Sequence, residues 1–286
     1  MPQTRNMHFL LTSNVGKENS YMYSTPKLFI KYLQYYFTAA NGHGHGVHSP
    51  FVYTFIKEVL NKKNTPAFPA SIEAYRTRLL ANKELVEVWD RGAGSRQNNN
   101  RKRTVSAIAK AALKPQKYSR LLGSLVNYFK PSTVLEMGTS LGITTSYLAA
   151  AYPLGKVITM EGAPNVAKHA RTTFTDLGLD NIQLIEGDFD RTLPVYLDSI
   201  TNIGFAYVDG NHKYEPTMRY FNCLKVKSNE ASVLVFDDIH WSAEMEKAWT
   251  EIKNDKSVTL TIDLFFIGLV FFRKAQKEKE NFIIRY

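Results

Sequence analysis

The stretch Val134-Leu-Glu-Met-Gly-Thr-Ser-Leu-Gly-Ile-Thr-Thr145 decides the reading of this chain. Val134 and Leu135 suit a buried strand, Gly138 and Gly142 let backbone approach a ligand with no Cβ in the way, and a helix starting near Gly142 offers unpaired N–H groups. Strand, glycine turn and helix start in that order make a nucleotide-type ligand site. The spacing is G-x-x-x-G and not the G-x-G-x-x-G of dinucleotide sites, and Glu136 would meet a pyrophosphate with a negative charge. A ligand that joins a cationic centre to an adenosine tolerates that carboxylate, which points to S-adenosylmethionine.

Working outward, the pattern from Thr133 is strand, helix, strand, helix. Val134–Glu136, Val157–Met160, Ile182–Ile185, Phe205–Val208 and Val233–Phe236 are short apolar runs, each followed by a helix-compatible segment. Val166, Ala170, Phe174 and Leu177 give one helix a buried face that Gly178 ends; Met245, Ala248, Trp249 and Ile252 give another, capped by Ser242. Leu260–Leu264 and Phe266–Phe272 follow with almost no link, which demands an antiparallel pair. The expected fold is α/β: a Rossmann-like, doubly wound, seven-stranded, mostly parallel sheet with an antiparallel C-terminal hairpin, plus a mainly helical N-terminal extension.

In an open α/β sheet the ligand crevice lies at the carboxyl ends of the strands, so the residues that end each run carry the information. They are Glu136-Met-Gly138, Glu161, Glu186-Gly-Asp188, Asp209-Gly-Asn-His212 and Asp237-Asp-Ile-His240. One acid at a strand end is an ordinary helix cap; five in order are hard to obtain by chance.

In these motifs residues 105–273 resemble the class I S-adenosylmethionine-dependent methyltransferases. The Asp-Gly-Asn-His-x-Tyr-Glu segment and the terminal hairpin resemble the small-molecule O-methyltransferase-like branch, and His-Gly-Val-His-Ser-Pro-Phe resembles an N-terminal extension of some bacterial members. The resemblance implies that Gly138, Ser140, Gly142 and Thr144 line the methionine part of the cofactor, with Glu136 near its ammonium and Asp209 beside it. Glu161 would take the ribose hydroxyls, and Asp188 with Phe189 the adenine. In catechol-type relatives the acids matching Asp209, Asp237 and Asp238 hold a divalent cation such as Mg²⁺ with the substrate hydroxyl. His212, three residues beyond Asp209, is a candidate general base or a partner of Asp237 or Asp238. His240 and Trp241 border the expected acceptor pocket, and Tyr214 reads as packing.

Composition supports an enzyme with an appendage. The chain has 286 residues, 44% hydrophobic and 22% charged, enough for a sizeable core. Residues 1–25 read as a loose leader, in which Met22 offers a second start; 26–104 as the helical extension; 105–286 as the S-adenosylmethionine-binding domain. Within the extension, Leu28 to Tyr36 reads as helix, with Tyr32, Tyr35 and Tyr36 facing their own core or a second subunit. Ser49 and Pro50 start another helix, with Phe51, Phe55 and Val59 on one face. Apolar spacing from Val105 to Phe129 (Ile108, Ala112; Leu121, Leu122, Val126) predicts one or two further helices. His43, His45 and His48 lack nearby Cys or acidic partners and read as a loop and not a metal site. The segment Asp90-Arg-Gly-Ala-Gly-Ser95 imitates a cofactor loop, but the basic, Asn-rich run to Arg103 starts no helix over it. The lone Cys223 excludes an intrachain disulfide and reads as a packed thiol, and no apolar run is long enough to span a membrane, so a cytoplasmic protein is expected.

The net charge of +10 is uneven: residues 1–130 carry +14 and residues 131–286 carry −4. A basic half of that kind suits a small anionic acceptor, or else RNA in an RNA-binding or RNA-modifying protein. No recognised RNA-binding module and no Asn-Pro-Pro-Tyr-type motif accompanies it. A nicotinamide dehydrogenase is weaker still, because Tyr53 and Lys57 precede the sheet.

Overall fold

The computed structural model describes residues 22–40, 42, 44, 48–61, 66–88, 102–275 and 278–286. The leader to residue 21, His43, His45 and the stretch from Asp90 to Arg101 lie outside the described residues.

The extension contributes helices α1 (Thr25–Thr38), α2 (Pro50–Phe55) and α3 (Ala70–Ala81), then a two-stranded ribbon of β1 (Leu85–Glu87) against β2 (Lys102–Thr104). Two helices lead into the sheet, α4 (Val105–Ala112) and α5 (Gln116–Phe129). Thr104 caps α4 by accepting the Ala107 N–H at 3.1 Å. Alternating elements follow: β3 (Thr133–Met137), α6 (Ile143–Ala151), β4 (Lys156–Glu161), α7 (Pro164–Asp176), β5 (Ile182–Glu186), α8 (Phe189–Asp198), β6 (Ile203–Val208), α9 (Tyr214–Val226), β7 (Ser228–Asp237) and α10 (Ala243–Asn254). The chain closes with β8 (Leu260–Asp263), β9 (Ile267–Phe271) and β10 (Glu280–Ile283). Ser242 caps α10 by accepting the Met245 N–H, and Gly178, at φ +64°, ends α7 in a left-handed turn, both as the sequence predicts.

The sheet runs β10-β8-β9-β7-β6-β3-β4-β5, and β9 is antiparallel to both neighbours while every other pair is parallel. An eighth strand, β10, joins the seven expected. Glu280-Asn-Phe-Ile, which leads into Ile284, was not among the expected strands and pairs along the free edge of β8. Alternation along each strand feeds two cores. Leu135, Ile158, Ala206 and Leu234 face α8, α9 and α10, while Val134, Val157, Phe205 and Val233 face α5 and the extension.

The extension shares this second core. Leu28, Tyr35, Val52 and Phe55 are buried in one cluster with Phe265 and Phe271, and the Tyr35 hydroxyl donates to the Ile284 carbonyl at 2.5 Å. Two local expectations shift. Helix α2 passes into a π-helical turn over Ile56–Leu60, which buries Val52 and Ile56 along with Phe55 and Val59 and leaves Phe51 half-buried. Ser49 stands at its N-cap position without a side-chain capping bond. In α4 the buried member is Ala109, and Ala112 is exposed. Among the described residues no helix is long and apolar enough to cross a membrane.

Register positions the site. Met137 pairs with both Met160 and Val208, and Val208 pairs with Phe236. The residues that come next in each strand, Gly138, Glu161, Asp209 and Asp237, therefore stand side by side along the carboxyl edge.

Candidate functional site

The turn after β3 is built from bare backbone. Gly138 has φ +107°, and a Cβ placed on it would lie 2.0 Å from the Asp209 carbonyl oxygen, so only glycine closes this contact. Its N–H and that of Thr139 both donate to the Met160 carbonyl, at 3.0 and 3.1 Å, while the Asp209 N–H donates to the Met137 carbonyl at 2.9 Å. Ser140 takes a left-handed conformation and aims its N–H at Glu161 Oε2, 2.8 Å away; Glu161 Oε1 accepts the Ala163 N–H at 2.9 Å. Glu161 is thus locked beside the turn. Gly142 begins α6, but its reason is packing: a Cβ there would meet the Phe174 ring at 2.5 Å. Thr144 lies half-buried in the first turn of α6.

Glu136 sits deeper than expected, fully buried beneath the turn. Its Oε2 accepts from Thr145 Oγ1 at 2.5 Å and Thr159 Oγ1 at 2.6 Å, and Oε1 has no protein partner. Burial outweighs those two hydroxyls and pushes the carboxyl up to about 8, so it is a neutral acid at pH 7. Thr145 is a site residue that sequence reasoning missed in favour of Thr144. The helical phase set by Gly142 turns Thr145 under the motif.

Asp188 does cap a helix: Oδ1 accepts the Asp190 N–H at 3.0 Å at the start of α8. Phe189 packs its ring on Tyr220 and against Gly210, where a Cβ would lie 2.7 Å from the ring, so the loops after β5 and β6 close on each other there. Gly162, between these loops, has only the Gly187 carbonyl within reach of a built Cβ, at 3.8 Å.

Charge concentrates at the ends of β6 and β7. Asp209 Oδ2 accepts from the Tyr207 hydroxyl at 2.9 Å and lies 3.7 Å from Lys114 Nζ, and Oδ1 lies 3.4 Å from His212 Nε2. Burial opposes ionisation of Asp209, but Lys114 and His212 win and hold it down at about 2. Burial likewise opposes the His212 imidazolium, and the bond to Asp209 with the negative charge of Asp238 outweighs it, so His212 titrates above its ordinary value. Lys114 Nζ also donates to Asp237 Oδ2, while the buried Asp237 Oδ1 has no partner. Tyr214 Oη donates to Glu251 at 2.7 Å, a surface packing role.

Asp209, His212 and Asp237 each offer a ligand atom within 4.8 Å of the others, whereas Asp238, expected as the third ligand, stands 3.9 Å from His212 and outside that trio. Oxygen and imidazole ligands with one orphaned carboxylate oxygen have the chemistry of a divalent site. The ammonium of Lys114 already stands between the two aspartates, however. A divalent ion about 4 Å from it would be repelled by about 8 kcal/mol at an effective dielectric of about 20. With Lys114 in place the residues do not fit Mg²⁺.

Both ring nitrogens of His240 face acids. Its Nε2 lies 2.8 Å from Asp263 Oδ2, its Nδ1 3.1 Å from Glu246 Oε1, and its ring stacks on Phe265. Lys31 and Tyr23 also reach Glu246, at 2.9 and 2.7 Å, and Trp241 Nε1 donates to Met22 Sδ. Met22 and Tyr23, expected in a loose leader, are therefore docked on the loop after β7. His48, the described member of the histidine loop, is exposed, and Cys223 is half-buried with its thiol pushed up by burial.

Comparison with known proteins agrees with this geometry. Residues 135–239 match the model of a methyltransferase domain family, Methyltransf_24. An uncharacterized protein, R132, of Acanthamoeba polyphaga mimivirus is 27% identical over 147 residues, 47% of this chain and 66% of that protein. Catechol O-methyltransferase B of Danio rerio is 37% identical over 76 residues, 26% of this chain and 29% of that enzyme. The matched stretches thus span less than two thirds of either relative. The fold is shared with a methyltransferase of Podospora anserina solved with SAH (TM-score 0.56, 13% identity, 80% of this chain and 100% of that one). It is shared also with an O-methyltransferase of Bacillus cereus solved with SAH (TM-score 0.54, 17% identity, 74% and 94%).

The His240 cluster makes stability depend on pH. Burial lowers the His240 imidazolium, but Asp263 and Glu246 raise it further, to about 9, while His240, Lys31 and Tyr23 hold the part-buried Glu246 at about 2. The histidine contribution is complete below the unfolded value near 6.5 and is lost as pH rises through 9; the Glu246 contribution is complete above about 4.5 and is lost as pH falls through 2. Thermal melts of wild type should weaken from pH 6.5 to 9.5 by an amount of order 3 kcal/mol more than those of His240→Gln, which keeps only the slope that Glu136 and His212 contribute to both proteins. Parallel curves for the two proteins would remove the cluster from this role.

Proposed function

We propose that this chain, which carries a class I S-adenosylmethionine-dependent methyltransferase domain of the O-methyltransferase-like type, methylates a hydroxyl of a small molecule. The observation that carries the proposal is the alignment of Gly138, Glu161 and Asp209 on one sheet edge, inside the segment that matches the methyltransferase family. When bound, S-adenosylmethionine supplies a methyl group on a sulfonium centre and leaves as S-adenosylhomocysteine. Glu161, held by two N–H donors, suits the ribose hydroxyls; Asp188 and Phe189 suit the adenine amine and ring; the turn from Gly138 through Ser140 and Gly142 to Thr144 lines the methionine part, above neutral Glu136.

His212 is the residue placed to take the acceptor's proton. In its neutral form His212 keeps its proton on Nε2, which Asp209 faces, so Nδ1 carries the lone pair; because the neighbouring acids raise its titration, that form gains as pH rises. Mg²⁺ at Asp209, Asp237 and Asp238 is not part of this reading, because Lys114 holds the ground between the first two. The basic charge of the N-terminal half and Lys114 itself favour an anionic acceptor.

Calorimetry tests the cofactor assignment. Wild type should bind S-adenosylhomocysteine, and Glu161→Ala, confirmed folded by its melt, should lose about 1–3 kcal/mol of that affinity. Equal affinity would contradict the role of Glu161, and no binding by wild type would end the proposal. With any phenol or catechol that the enzyme methylates, His212→Ala should cut turnover by about 10²–10⁴-fold with cofactor affinity unchanged; unaltered turnover would exclude His212 as the base.

A further inference from the structure

No motif leads to Lys114. It occupies the bend Leu113-Lys114-Pro115 between α4 and α5, and that bend is held from several sides. Its carbonyl accepts from Arg76 Nη1 at 2.6 Å; Arg76 Nε donates to both oxygens of Glu73, at 2.9 and 3.1 Å; and Glu73 Oε1 accepts from the Tyr147 hydroxyl on α6 at 2.8 Å. Pro115 fixes the next backbone angle at the start of α5. A helix of the extension and a helix of the sheet domain thus jointly fix where the ammonium emerges.

It emerges among acids. The side chain is only 14% exposed, Nζ donates to Asp237 Oδ2, and Asp209 Oδ2 is 3.7 Å away. Asp238 adds a third carboxylate beyond His212. An acceptor oxygen that gives up its proton beside three carboxylates needs a positive charge close by, and two of these carboxylates are those that a divalent ion would bridge.

We infer that Lys114 is a resident cation, its ammonium standing between Asp209 and Asp237 in place of a divalent ion and stabilising the acceptor oxygen as it becomes anionic. The identity of that oxygen rests on the proposed function; the exclusion of a metal does not. The role is electrostatic: no atom passes to or from Lys114. An ammonium has three donors, and Asp237 Oδ2 engages one, so a second can meet the acceptor oxygen in a way a fully coordinated ion would not.

Mn²⁺ is the probe, titrated into the full chain and followed by electron paramagnetic resonance with and without S-adenosylhomocysteine. Wild type should leave Mn²⁺ free, and Lys114→Ala should bind it at least about tenfold more tightly, since a like charge beside the carboxylates is gone. Lys114→Met repeats the test with the side-chain volume kept, and calorimetry with S-adenosylhomocysteine checks that each variant retains its fold. Tight Mn²⁺ binding by wild type, needing no variant, would overturn the inference, as would folded variants that gain no affinity. Failure of wild type to bind S-adenosylhomocysteine would instead retire the proposed function, leaving the Mn²⁺ comparison in the unliganded protein to decide on Lys114.

Discussion

The contact between Gly138 and the Asp209 carbonyl sets everything at the carboxyl edge. There is no room for a Cβ between them, so the ends of β3 and β6 meet as bare backbone. That closeness places the acid of one strand beside the turn of the other, and the Met160 carbonyl, accepting two N–H groups of the same turn, draws in the end of β4. Glu161 and Asp209 then flank one short turn. A substitution at Gly138 would separate three strand ends at once, whatever it did to a ligand directly.

Acids gathered this way must be balanced, and the chain uses a different device at each. Glu136, sealed from water, stays neutral and is held by Thr145 and Thr159. Glu161 is satisfied by backbone N–H groups. Asp209 and Asp237 share the ammonium of Lys114, and Asp263 and Glu246 share His240. Two of the balancing groups depend on the extension: Arg76 on α3 holds the bend that carries Lys114, and Lys31 on α1 with Tyr23 completes the His240 cluster. The N-terminal segments are therefore part of the site's electrostatics as well as of its core.

What the sequence disclosed follows from what is local. The β3 turn, the acids at the ends of β4 to β7, the Ser242 cap and the Gly178 stop are each written within a few neighbouring residues, and each forms as expected, whereas Glu136 sits deeper. Lys114 lies 95 positions before Asp209, and its partners are set by the way α4 and α5 fold back on the sheet; a lone lysine ahead of proline, after Ala111-Ala-Leu113, was the only local trace. That Thr145 reaches Glu136 turned on one step of helical phase beyond Thr144. The position of His240 after β7 was legible, but the acids that engage its ring come from β8 and α10 and were not. Strand β10 carries only the short run Phe282-Ile-Ile284 and pairs along the edge that β8 offers it.

The account stands on the carboxyl-edge crevice being the cofactor site. A crystal structure of the full chain soaked with S-adenosylhomocysteine tests that directly. The account predicts the ribose hydroxyls within hydrogen-bonding distance of the Glu161 carboxylate and the thioether facing the β6 and β7 ends near His212. Ligand bound away from Glu161, or a crevice too closed to admit it in well-ordered crystals, would contradict it.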